Sequence, residues 1–362
     1  MSVADRAPAP PVLRSPRELR ARATLGAAAL FLLIAALAAL AVGAVPISLS
    51  AIFTLMAETL GLASGDGVEA RDRLVFSAIR LPRVIAGCAI GAALGLAGAV
   101  MQGLYRNPLA DPGLIGVSSG AAFAAVAVIV VGGDIVGGLE PWMRPFALPV
   151  AAMIGGLVAT FLVYRLGTVD GQTMIATTLL AGIAINAVAQ SGIGFFVFIS
   201  DEQQLRDLSF WTLGSVAGVT WSNLSPALAV IAVPLLVLPR LAGALNAMLL
   251  GEREAFHLGH SPERLKRLAI AMSAIAVGAA VSLSGIIGFV GLVVPHIVRL
   301  LCGPDHRYVL PGSILLGAGL FLFADLVARM IVLPAEMPIG VITALVGGPF
   351  FIGLLVRRRD WG

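Results

Sequence analysis

Long apolar runs separated by short polar breaks dominate this chain. A membrane core about 30 Å thick takes about 20 apolar residues per helix. Ten runs near that size can be drawn: 23–45, 84–104, 114–132, 145–166, 174–199, 224–248, 267–284, 289–302, 309–331 and 338–356. They predict an all-α polytopic membrane protein of about ten transmembrane helices. The run at 289–302 is the least regular, because Pro295, His296 and Arg299 interrupt it. The first run exceeds the roughly 7–15 apolar residues of a signal peptide, and five arginines precede it, so it reads as an uncleaved helix entered from the cytoplasm. Residues 1–22, with the opening "APAPPVLRSP", are expected to form a disordered cytoplasmic tail, and residues 23–362 a single transmembrane domain.

Composition sharpens the picture. The chain is 59% hydrophobic and 12% charged, against about a quarter charged in soluble domains, which leaves no separate water-soluble domain. With both termini inside, 17 of the 24 Lys/Arg residues fall on the cytoplasmic side. Seven lie outside: Arg71, Arg73, Arg80, Arg83, Arg144, Arg206 and Arg329. That bias supports an N-in, C-in topology, and it explains the net charge of +4 without a nucleic-acid partner. Gly87, Gly91 and Gly95 recur every four residues, the spacing that lets transmembrane backbones approach closely where lipid gives no hydrophobic drive to associate. "RNPLADPG" and "RLLCGPDHR" hint at an internal repeat. Cys88 and Cys302 have no CxxC partner and read as packing residues.

Several chemistries are missing. The one lysine, Lys266, follows a leucine, so no phosphate-cradling Gly-Lys-Ser/Thr loop exists. HExxH is absent as well, and "GVSSGA" at 116–121, which has the GxSxG spacing, reads as small-residue packing at a helix start and not as a serine elbow. No resident cofactor or metal is expected, and the chain does not read as an enzyme. Polar residues within the apolar runs are few: Gln102, Asn186, Gln190, His296 and Asp325. Arg329 follows Asp325 by one helical turn in the favourable acid-first order, which favours a structural ion pair over a proton relay. His296, beside Pro295, reads as a satisfier of loose backbone carbonyls rather than a haem or metal ligand.

One polar block stands apart. "GEREAFHLGHSPERLKR", 251–267, holds seven charges and two of the four histidines. Glu252 to Leu258 can form a short helix that Gly259 ends in a left-handed conformation. Ser261 then caps the next helix, with Pro262 at its first position and Glu263 in its first turn. The positive-inside rule accounts for Arg264, Lys266 and Arg267. It does not account for Glu252, Glu254, Phe256 and Leu258.

The segments "RLPR" (80–83), "AGAVMQGLYRNPLADPGLIGVSSGAA" (97–122), "SGIIGFVGLVVPHIVRLLCGPDHR" (284–307) and "AEMPIGVITALVGGPFFIGLL" (335–355) resemble the FecCD family, the permease subunits of importers for iron-siderophore complexes, haem and vitamin B12. The resemblance runs from about residue 25 to the C-terminus. It implies a ten-helix, vitamin B12 permease-like fold in the bacterial inner membrane, working as a homodimer. Two cytoplasmic ATPase subunits would carry ATP and Mg, and a periplasmic binding protein would deliver substrate. It also implies that the cytoplasmic loop 249–266 couples to the ATPase through Glu252, Arg253, Glu254, Ala255, Phe256, His257, Leu258, Gly259 and His260. Arg80, Arg83 and Arg329 would pair with glutamates of the binding protein, and Asn107 and Leu109 would help close the cytoplasmic mouth. A second constriction carries hydroxyl residues in the vitamin B12 permease, whereas Ile175 and Ala176 stand there in this chain. "SDEQQLRDLSFWTLGSVAGVTW", 200–221, looks most like haem permeases and favours haem over a ferric siderophore. A proton-coupled carrier is the competing class, and it would make Asp325 essential.

Overall fold

A computed structural model describes residues 16–62, 67–333 and 335–359. The chain runs through α1 (Pro16–Ala41), α2 (Leu49–Thr59), α3 (Ala70–Leu104), α4 (Val117–Val131), α5 (Arg144–Gly167), α6 (Ile175–Ile199) and α7 (Glu202–Leu213). It continues through α8 (Trp221–Leu250), α9 (Glu252–His257), α10 (Pro262–Ser284), α11 (Val290–Cys302), α12 (His306–Met330) and α13 (Ile339–Arg359). The ten apolar runs correspond to α1, α3–α6, α8 and α10–α13. Among the described residues, seven of these are long and apolar enough to span a membrane unaided. The shorter α4 is lengthened by a 3₁₀ turn over Pro112–Ile115.

Two expectations change. The first helix begins at Pro16, so residues 16–22 belong to it and not to a tail. The Glu18–Arg22 pair, 2.7 Å apart one turn from each other, supports that extension, and Ala21 is buried within it. The rest of the expected tail, residues 1–15, lies outside the described residues. The run near 168–175 also contains strands that periodicity did not foretell: β1 (Thr168–Val169) pairs antiparallel with β2 (Gln172–Thr173). Asp170 and Gly171 between them both have positive φ, 49° and 76°, the requirement of the two-residue turn that suits strand twist.

Contacts mark the two ends of the bundle. At the inner end, Cys302 closing α11 lies beside the Ala21 carbonyl of α1, and Asn246 of α8 bonds to Asp305 and His306 at the start of α12. At the outer end, side chains near the start of α3 meet the end of α1 and the last turns of α12. The start of α1 and the polar block therefore share one end, as the N-in assignment requires.

The centre is α3, whose most apolar stretch is 83% buried. It packs backbone to backbone on α11 and α12. A Cβ built on Gly91 would lie 2.4 Å from the Gly317 carbonyl oxygen, one on Gly95 2.4 Å from that of Ser313, and one on Gly98 1.8 Å from that of Gly291. The four-residue glycine spacing thus serves close helix approach, and Gly98 extends the series. Gly98→Val should cost at least the about 1–3 kcal/mol of an overpacked core and lower the unfolding midpoint in detergent. Gly243→Ala, in α8 with open space around it, should leave that midpoint unchanged or raise it.

Candidate coupling surface and charged clusters

The polar block folds into the two pieces expected. Gly251, at φ 129°, turns the chain out of α8 into α9. The helix closes when Gly259 N–H donates to the Phe256 carbonyl and His260 N–H to that of Ala255, both at 3.0 Å. This bond pair needs a left-handed residue at the corner, and Gly259 supplies it at φ 85°. Ser261 and Pro262 then start α10, although the Ser261 side chain makes no capping bond. Ala255 is buried and anchors α9, while Phe256 and Leu258 are 67% and 60% exposed. Arg253, Glu254, His257 and Gly259 are exposed beside them, Glu252 and His260 partly so. A short helix thus presents a mixed apolar and charged face at the inner end of the bundle.

Lys266 is more than the topological cation that the charge bias suggests. It is 3% exposed. Its ammonium donates to Glu252 Oε2 at 2.8 Å, Glu263 Oε1 at 2.9 Å and the Thr173 carbonyl at 2.9 Å. Glu263 Oε2 accepts from the Thr173 N–H at 3.0 Å. An ammonium has three donors and no more, so all are spent. A charge leaves water only when paired in this way, which is why this cation does not sit free on the surface. Above it opens a cleft of about 560 Å³ between α9 and the start of α6, lined by Thr173, Ile175, Ala176, Arg253, Phe256 and His257 among others.

Asn107 and Leu109 lie at the same end, after α3. Arg106 takes a left-handed conformation, φ 49°, and the Asn107 side-chain oxygen accepts from the Leu109 N–H at 2.9 Å. Asn107 is exposed and Leu109 half-buried. Nearby in the fold, Arg299 donates to Gln102 and to the Ala99 carbonyl, tying α11 to α3. His296 packs edge-on against the Phe350 ring.

The outer arginines are gathered, and they face inward. Arg80, Arg83 and Arg329 are each less than 10% exposed. Arg80 donates to the carbonyls of Leu40 and Val45. Arg83 straddles Asp325 at 2.9–3.3 Å and reaches Glu336 at 2.9 Å. Arg329 donates to the Ala39 carbonyl at 3.2 Å and lies 3.3 Å from Asp325 Oδ2. The expected Asp325–Arg329 pair is present, but Arg83, 242 residues away in sequence, is the bidentate partner. All three are thus already held by acceptors of their own chain in this conformation. Burial makes each guanidinium claim an acceptor within its own chain.

Residues 31–357 match the model of the FecCD transport family. The chain belongs to that family. It is 46% identical over 283 residues to the hemin transport system permease protein HmuU of Yersinia pestis, covering 78% of this chain and 83% of that one. It is 43% identical over 293 residues to the cobalamin import system permease protein BtuC of Halobacterium salinarum, covering 81% and 76%. A solved structure described as an inward-facing, metal-chelate type ABC transporter superposes with a TM-score of 0.79 at 31% identity, over 93% of this chain and 99% of that one. The protein is a multi-pass permease subunit of a type II ABC importer in the inner membrane.

The lysine clamp escaped the reading of the sequence, although "TVDGQT" signals a tight hairpin through its Asp-Gly pair. Nothing local marked Glu336 as a partner of Arg83. Removing one member of a buried ion cluster leaves the others uncompensated, at about 3–5 kcal/mol. Asp325→Asn should therefore lower the unfolding free energy in detergent by that order, and Glu336→Gln, whose carboxylate is 41% exposed, by clearly less.

Proposed function

We propose that this chain carries haem through the inner membrane, as one of two copies that face each other and rest on two ATPase subunits, with a periplasmic binding protein delivering the substrate. The ATP-driven part is carried by α9, whose exposed Phe256 and Leu258 stand at the inner end on a helix too short to span anything. The topological charge bias asks only for basic residues there. An apolar and acidic face fits a protein partner instead. The Gly259 corner sets the angle at which that face is offered.

The choice of haem rests on the hemin-permease relative and on α7, which holds "LRDLSFW" at the outer end. It also fits α6, which buries only 11% of its apolar stretch within one chain and exposes Phe195 and Phe198. A second copy facing α6 would enclose an apolar passage, suited to a flat hydrophobic ring more than to tight polar coordination. Ile175 and Ala176 at the first turn of α6 continue that apolar lining to the inner mouth, with Asn107 and Leu109 assigned to the same closure. ATP and Mg would sit on the ATPase chains. For the binding protein, a partner carboxylate would reach Arg83 only by displacing the partly exposed Glu336 from it. A proton-driven carrier is disfavoured, since Arg83 and Arg329 already occupy both oxygens of Asp325.

The permease, reconstituted in vesicles with its ATPase and binding protein, should take up haem only with ATP. Preferential uptake of cobalamin or a ferric siderophore would replace the substrate, and uptake without the ATPase would overturn the importer. Gly259→Val forces a β-branched residue to positive φ, which such residues strongly disfavour. It should lower haem uptake per ATP hydrolysed by about tenfold, within the usual range of coupling between sites.

A further inference from the structure

We infer that Lys266 is the positioning residue that carries movement of α9 to the start of α6, and so to the inner mouth of the pathway. The inference rests on α9 being the ATPase contact. Three elements meet at the Lys266 ammonium: α9 through Glu252, α10 through Lys266 itself and Glu263, and the β1–β2 hairpin through Thr173. Thr173 is held at both its backbone groups, its N–H by Glu263 and its carbonyl by Lys266. Only Met174 separates it from α6. The Met174 N–H in turn bonds the Gly167 carbonyl at 2.9 Å, closing the base of the hairpin. Displacement of Thr173 therefore moves the first turn of α6, where Ile175 and Ala176 stand.

The chain gives α9 no covalent route to α6. Its own ends lead to α8 and α10, and the cleft of about 560 Å³ separates its exposed face from Met174, Ile175 and Ala176. Lys266 bridges that separation with a saturated set of bonds. A charge-assisted bond to an ionised partner is shorter and stiffer than a neutral one. With the ammonium itself at 3% exposure and three acceptors converging on it, this set transmits displacement where a single exposed pair would yield to water. Glu252 is the only member on α9, so it is the point at which force from a partner enters. Glu263 and Lys266 share one face of the first turn of α10, and together they clasp the Thr173 peptide as a pair of tongs.

The test uses the complete complex of permease, ATPase and binding protein in vesicles, with uptake per ATP as one readout. Spin labels at Leu258→Cys on α9 or Ala176→Cys on α6, in a background with Cys88 and Cys302 replaced by serine, give a second. In the unmodified complex both labels should change environment when ATP binds. In Lys266→Met, uptake per ATP should fall about tenfold while the Leu258 label still responds and the Ala176 label does not. Lys266→Arg, which keeps the charge and several donors on a bulkier planar group, should recover both in part, above the level of Lys266→Met. Glu252→Gln weakens only the link to α9, from a partly exposed site, and should reduce the Ala176 response without loss of assembly. If Lys266→Met and Glu252→Gln leave the Ala176 response and uptake per ATP unchanged, the lysine is merely structural and the inference fails. Absence of any ATP response at Leu258 in the unmodified complex overturns α9 as the ATPase contact instead.

Discussion

The close approach of α3 to α11 and α12 is the constraint from which the rest of the architecture follows. In lipid, helices gain nothing by hiding apolar surface from one another, and dispersion between closely fitted backbones must hold them together. Gly91 against Gly317 and Gly98 against Gly291 bring carbonyl oxygens to where a side chain would otherwise stand. A Cβ on Gly91, Gly98 or Gly317 would push the helices apart. With α3 fixed in this way, its two ends become the fixed points at which charged side chains can be gathered.

Both gatherings obey one rule. A cation withdrawn from water persists when it is paired with acceptors of its own chain. At the outer end, Arg80, Arg83 and Arg329 find them in Asp325, Glu336 and the loose carbonyls at the end of α1. Those carbonyls are the orphan acceptors that any helix leaves at its C-terminus. At the inner end Lys266 meets the rule with Glu252, Glu263 and Thr173. The outer set joins helices of the packed centre to one another. The inner set joins the surface helix α9, the β1–β2 hairpin and α10, so the same physics braces the packed centre at one end and ties a surface helix to the entry of α6 at the other.

What could be read from the sequence follows from how local each signal is. Ten apolar runs report ten helices because hydrophobic length is a property of consecutive residues. The Gly259 corner and the Ser261-Pro262 start were legible for the same reason, since caps act within four residues. Gly87, Gly91 and Gly95 announced a packing face without naming its partner. Arg83 with Asp325 and Glu336, and Lys266 with Thr173, join positions far apart along the chain, and no periodicity encodes them. Lys266 was also masked by its neighbours: between Arg264 and Arg267 it reads as one more cytoplasmic cation, and only burial separates it from them.

The unequal burial of the helices bears on where movement can occur. The most apolar stretch of α3 is 83% buried and that of α6 only 11%. To displace α3, the glycine contacts with α11 and α12 would have to break at once, and close-packed interiors resist such partial opening. Displacement of α6 disturbs far less packing within the chain, with the Gly182 contact to the Leu114 carbonyl among the few tight points. Mobile functional elements are drawn from the least packed parts of a structure for this reason. A force applied at α9 would divide unequally: where it reached α8 and α10 it would meet helices set against α3, and where it reached the hairpin it would meet the element with the least packing to lose. The rigidity of the centre would then direct the motion to α6.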